Sequence, residues 1–128
     1  SSPRVVELVD LYPTLTDLCG LPTPEGLDGV SLQPLLKDPN AKWDRPAYTV
    51  WNEQGKGITG VSVRTERWRY AEFYGVGAGA YLTDPINDPH ELRNLVNDPR
   101  YKEVVEKLHQ LASEYVEGKT VLNFKPDQ

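Results

Sequence analysis

His90 and Glu91 follow Asp84 and Asp88 closely in the chain, and imidazole with carboxylates is the donor set from which many divalent-cation sites are built. The same stretch, Asp84-Pro85-Ile86-Asn87-Asp88-Pro89-His90-Glu91, carries the aspartate-proline pair twice. Aspartate side chains in turns accept backbone N–H groups two residues on, so turn formation already accounts for both aspartates. The other histidine, His109, lies in a later segment. The stretch therefore reads as two tight turns, and no residue is assigned to a metal.

A second group interleaves cations with rings: Arg64, Arg67, Trp68, Arg69 and Tyr70. Single-strand nucleic-acid binders stack bases on such rings and pair arginine with phosphate. A formal charge of -5 argues against that use, because a nucleic-acid footprint is basic. The pattern fits a strand with inward rings and solvated arginines. If it meets a ligand, an anionic sugar suits it best, since guanidinium forks match sulfate and carboxylate.

Gly55-Lys56-Gly57 and Gly75-Val76-Gly77-Ala78-Gly79 are glycine-rich but lack the spacing of a phosphate-binding loop. They read as hairpin connections, with Lys56 at a tip from which it can reach a ligand. Lys56 and Arg64 are the cations placed to meet such a ligand. Cys19 has no activating neighbour in sequence and reads as a small core residue at a helix end. No nucleophile–base set and no paired carboxylates stand out, so no catalytic residue is assigned.

The elements that must position these residues follow from periodicity. Val5, Leu8, Val9, Leu11, Tyr12, Leu15, Leu18 and Cys19 keep one helical face apolar. Glu7 and Asp10 favour the start of that helix, Pro13 requires a bend or a start nearby, and Gly20 supplies the stop. Ser31 caps a short helical segment that holds Pro34 early. Residues 47–51, 58–65, 68–74 and 80–83 are rich in β-branched and aromatic side chains and read as four strands. Their short connections predict an antiparallel meander. Asp98 and Pro99 open a final helix with an apolar stripe from Tyr101 to Val116, ended by Gly118. That stripe is the natural cover for one side of the sheet.

Over 128 residues this is an α+β chain large enough for a modest core. No apolar run is long enough to cross a bilayer, so no membrane contact is expected. One cysteine excludes an internal disulfide framework. Methionine is absent even at position 1, so either an initiator has been removed or the chain is a piece of a longer polypeptide, and the abrupt start from Ser1-Ser2-Pro3-Arg4 into Val5-Val6 favours the second.

Four segments in order resemble the C-terminal portion of sulfatases. Val6-Glu7-Leu8-Val9-Asp10-Leu11-Tyr12-Pro13-Thr14-Leu15 is similar to the segment near the end of their α/β catalytic domain, and Asp28-Gly29-Val30-Ser31-Leu32-Gln33-Pro34-Leu35-Leu36 to the loop and turn that follow. Ser62-Val63-Arg64-Thr65 with Trp68-Arg69-Tyr70 resembles the hairpin of the C-terminal subdomain. Leu82-Thr83-Asp84 through Asn94-Leu95 resembles its closing turn. The wording is nearest to an iduronate-2-sulfatase-like branch, with Thr83 and Tyr81 departing from the usual residues.

The resemblance implies that residues 1–45 are the tail end of the α/β domain, 46–118 the C-terminal subdomain, and 119–128 a tail. It implies a sulfate-ester hydrolase acting on sulfated carbohydrate in a secreted, periplasmic or lysosomal setting. Calcium and a formylglycine belong to that chemistry, but the Cys/Ser-x-Pro-x-Arg motif is missing here, since Cys19 is followed by Gly20-Leu21-Pro22-Thr23. The implied partner is the N-terminal catalytic domain of the same protein, against which Lys56, Trp51 and Arg64 are expected to form one wall of the substrate cleft, and the isolated chain is expected to be inactive. The apolar face of residues 5–19 is expected to be orphaned, which predicts a partner chain or self-association. The rival expectation is an independent carbohydrate- or protein-binding module.

Overall fold

A buried carboxylate organises the first unit, Ser1–Ala47, in the computed structural model, which describes residues 1–53, 55 and 57–120. Asp10 is 1% exposed; one of its oxygens accepts the Glu7 N–H at 2.9 Å and the other accepts the Val30 N–H at 2.9 Å. Bonds of this kind hold a buried charge that would otherwise be too costly to desolvate. A 3₁₀ turn, Leu8–Asp10, leads into helix α1, Leu11–Leu18. Pro13 lies in its first turn, where a missing N–H removes no helical bond. Gly20 adopts φ +65°, and the Leu21 N–H reaches the Thr16 carbonyl at 2.9 Å, closing the helix as a Schellman stop.

The loop before α2, Gln33–Lys37, is clipped to α1 by polar contacts. The Thr14 hydroxyl accepts the Leu32 N–H at 2.8 Å, and Ser31 Oγ donates to Asp17 at 2.5 Å. The cap position of α2 is Leu32, one residue beyond the predicted Ser31, whose Oγ still accepts the Gln33 N–H.

These contacts turn α1 inside out relative to its pattern. Pro13, Thr14 and Thr16 are its buried residues, whereas Leu11, Leu15 and Leu18 are each more than half exposed, and Leu8 just before them is 85% exposed. Hydrogen-bond demand from the 30–32 loop selects the threonine side as the inner one. Cys19 follows the same side outward and is a free, exposed thiol. The expectation of a core cysteine is therefore corrected.

The second unit, Tyr48–Gln128, is built on strands β1, Ala47–Glu53; β2, Gly57–Arg64; β3, Arg69–Phe73; and β4, Gly79–Thr83. They form one sheet in the order β1-β2-β3-β4, with β2–β3 and β3–β4 antiparallel. The register places Val63 opposite Tyr70 and Tyr70 opposite Leu82. One face of the sheet thus carries Val61, Val63, Tyr70 and Leu82, and helix α3, Lys102–Thr120, supplies Leu108 and Ala112 to the same buried core. Tyr48 stacks on Tyr115 with ring centroids 4.0 Å apart, and Trp68 meets Tyr101 edge-on.

Asp98 caps the start of this last helical segment, accepting the Arg100 N–H at 3.0 Å, and Pro99 opens a 3₁₀ turn ahead of α3. Gly118 does not end α3, which runs on to Thr120 without a positive φ at that glycine. A single glycine costs a helix only about 1 kcal/mol, too little by itself to stop one. None of the described helices is long and apolar enough to cross a membrane.

Candidate functional site

The sheet face opposite α3 carries the groups with chemistry to offer. Alternation sends Arg69, Ala71 and Phe73 of β3 to that side, and the register places Arg64 opposite Arg69 and Thr83 beyond it on β4. Like charges directly across a strand pair repel. Glu91 answers one of them: its carboxylate lies 2.6 Å from Arg69 Nη1 and accepts the Thr83 hydroxyl at 2.7 Å. Glu91 is the one non-glycine residue with positive φ among the described residues, at 53°. That conformation costs about 1–3 kcal/mol, and it bends the turn so that the carboxylate returns to the sheet.

Arg64 feels the same carboxylate only through space. Its Nη1 is buried and has no hydrogen-bond partner. Burial first, and then the neighbouring Arg69 cation, pull its pKa below the ordinary value, while Glu91 pulls the other way. Beside Arg69 opens a cavity of about 450 Å³, lined also by Tyr81, Thr83, His90, Glu91 and Asn94.

The turn that delivers Glu91 is fixed at its base by Asp84, 4% exposed. Asp84 accepts from Arg67 Nη2 at 2.9 Å and from the Asn87 side chain at 2.8 Å. Although burial pushes its carboxyl up, bonds from Arg67 and Asn87 bring it below the usual range. Asn94 returns the chain to the edge of β4, accepting the Leu82 N–H at 3.0 Å and donating to the Ala80 carbonyl at 3.2 Å. The two aspartate-proline pairs are turns, and no group of three His, Cys, Asp or Glu side chains able to hold a metal occurs among the described residues. Arg67 and Arg69 are both ion-paired while their side chains stay 51% and 43% exposed.

At the other end of the same face, the Trp51 ring lies 5.0 Å from the Phe73 ring, and Phe73 is followed by Tyr81 at 6.4 Å. Gly60 makes room for Phe73, because a Cβ there would stand 2.7 Å from its ring. Trp51 is 40% exposed. The four residue steps from Gly60 to Arg64 span roughly 13 Å of strand. Trp51 and Arg64 thus belong to one face but to opposite ends of it. Lys56, the third candidate, lies outside the described residues. Arg69 as a partner of Arg64 was open to sequence reasoning, because the Thr65–Trp68 turn sets the register. The part played by Glu91 was not, because it depends on the backbone of one turn residue.

On the α3 side, Glu72 is 7% exposed and accepts the Tyr70 hydroxyl at 2.6 Å and the Tyr74 hydroxyl at 2.7 Å, with His109 Nδ1 2.7 Å away. Burial pushes this carboxyl up, but the bonds from Tyr70, Tyr74 and His109 outweigh it and hold it below the usual range. Both tyrosines are pushed upward, by burial first and then by Glu72. The cluster fastens α3 to the sheet.

The family described as N-sulphoglucosamine sulphohydrolase, C-terminal, matches residues 1–117. The chain belongs to this sulfatase family. It is 36% identical over 112 residues to a Delta 4,5-hexuronate-2-O-sulfatase of Bacteroides thetaiotaomicron, covering 84% of this chain and 23% of that protein. It is 31% identical over 136 residues to arylsulfatase K of Gallus gallus, covering 97% and 25%. Among solved structures, a 2-O GAG sulfatase superposes with a TM-score of 0.73 at 29% identity, covering 87% of this chain and 24% of that one. The chain therefore spans about a quarter of the length of these relatives, and its four-stranded sheet with a C-terminal helix is that of the sulfatase C-terminal subdomain.

Proposed function

We propose that this chain is the closing, non-catalytic part of a sulfate-ester hydrolase acting on sulfated carbohydrate. Residues 1–45 complete the α/β catalytic part, and the subdomain of residues 46–118 lends Trp51, Arg64 and Lys56 to the wall of the substrate cleft. The observation that carries this reading is the outward row of Leu8, Leu11, Leu15 and Leu18 in a chain about a quarter as long as its sulfatase relatives. An exposed apolar row of that kind marks an interface, and the catalytic part is the partner such a fragment needs. The hexuronate-2-O-sulfatase and 2-O GAG sulfatase relatives support a glycosaminoglycan fragment as substrate.

Calcium and formylglycine would be held outside this chain. Cys19 lacks the x-Pro-x-Arg sequence after it, and no carboxylate cluster of the described residues fits an oxygen-ligated cation. No step through either group is assigned here.

The test is turnover. The isolated chain should release no sulfate from an aryl sulfate, whereas the full-length enzyme should desulfate a glycosaminoglycan disaccharide. In that enzyme Arg64→Ala should raise KM about tenfold or more, the scale of a lost hydrogen bond to a charged group. Trp51→Ala should raise KM by less. Turnover by the isolated chain, or unchanged kinetics in both variants, would sink the reading. Tight oligosaccharide binding by the chain alone, with no full-length sulfatase activity, would establish an independent binding module instead.

A further inference from the structure

We propose that the cavity beside Arg69 is a subsite for an oxyanion on a sugar, a carboxylate or a sulfate group other than the one hydrolysed. Arg69 stands in its wall, Arg64 opposite Arg69 on β2 completes the cationic pair when the ligand binds, and Glu91 is the residue that sets its charge. The proposal rests on the reading of this chain as part of a carbohydrate sulfatase, and it names what the cleft wall recognises.

Three observations converge. Two arginines face each other across β2 and β3, an arrangement that repulsion disfavours unless an anion lies nearby. Glu91 supplies only one negative charge and spends both its oxygens on Arg69 and Thr83. Arg64 Nη1 is buried with no acceptor, and an unsatisfied donor on a charged group is among the most costly polar defects a fold can carry. One acceptor is missing, and two cations share a single carboxylate.

Next to Arg69 lies the means to satisfy both. The cavity of about 450 Å³ falls in the size range of small-molecule sites. Tyr81, His90 and Asn94 line it with polar groups that suit sugar hydroxyls, and Arg69 is itself part of the wall. Arg64 stands opposite Arg69 but does not line the cavity, so in the proposed complex its side chain turns toward Arg69 and an oxyanion bridges the two guanidinium groups. Carboxylate and sulfate share the two-oxygen edge that guanidinium forks recognise.

The test uses the 128-residue chain at constant ionic strength, titrated with sodium sulfate, with glucuronate, and with neutral N-acetylglucosamine. The readouts are the Nε–H signals of Arg64 and Arg69 and the amides of Thr83 and Glu91. Saturable shifts there with either anion, and none with the neutral sugar, are expected. Sulfate alone identifies a sulfate subsite, and glucuronate alone a carboxylate subsite. Arg64→Gln should weaken binding about tenfold or more. Glu91→Gln should tighten it, because it removes a competing anion; a merely structural Glu91 predicts no tightening.

If Glu91→Gln loses its native spectrum, Arg64→Lys decides, since keeping the charge but losing the fork should weaken binding while preserving its salt dependence. No saturable shift with either anion overturns the proposal, as does equal affinity in Arg64→Gln or no tightening in a folded Glu91→Gln. Loss of the full-length enzyme's stability in Arg64→Gln, without anion binding by the chain, makes Arg64 a docking contact and likewise overturns it. Because the readout is binding to the chain, its failure leaves the sulfatase reading, which is tested by turnover, standing.

Discussion

Single side chains decide more in this molecule than their positions in the pattern announce. Gly29 is buried against the backbone of Val9, where a Cβ would stand 2.0 Å from the carbonyl oxygen. No flexible side chain can yield there, so Gly29→Ala should destabilise the first unit by about 1–3 kcal/mol or more, the scale of an overpacked core. Urea denaturation monitored at Trp43, whose indole N–H donates to the Val5 carbonyl in that unit, measures it. Arg64 was legible as a chemically able residue because its side chain type and strand position are visible in the chain. Its unpaired nitrogen was not legible, because that depends on what Arg69 and Glu91 do around it. Cys19 shows the reverse error: its small size fits a core, but the direction its helix faces sets it in solvent.

Elements were read well where a local rule controls them. The four strands follow β-branched and aromatic runs, Asp98 caps the last helix segment, and Gly20 stops α1. Gly118 failed as a stop because no left-handed residue is needed there. Gly118→Ala should therefore stabilise α3 by about 0.5–1 kcal/mol, read as a higher urea midpoint. The attachment of α3 to the sheet makes a second prediction. Glu72, bonded by Tyr70, Tyr74 and His109, has its folded pKa below the ordinary 4.5. A carboxyl depressed by folding stabilises the native state above its unfolded pKa, and this contribution is lost as pH falls through the folded value. Stability should thus decline below about pH 4.5 with a Glu72 component, and Glu72→Gln should flatten that part of the acid limb in pH-dependent denaturation.

At the level of the whole molecule the decisive feature is an apolar row facing away from its own unit. Leu15 is 60% exposed, so Leu15→Asp should leave the folding of the isolated chain nearly unchanged while reducing its self-association in sedimentation. In the full-length sulfatase the same change should cost about 1.5–3 kcal/mol, the worth of a leucine buried at an interface. Equal destabilisation of both proteins would show that Leu15 acts within the chain. The amino-acid order alone was enough for the family, the helix and strand inventory and the meander, because periodicity, caps and turn residues are local codes. Even the double aspartate-proline motif could be read as turns from its own residues. Which side of α1 faces inward, how Glu91 meets Arg69, and which guanidinium nitrogen is left without an acceptor were settled only by tertiary structure. Those outcomes depend on hydrogen-bond demand and charge balance among residues distant in the chain, and no local pattern encodes them.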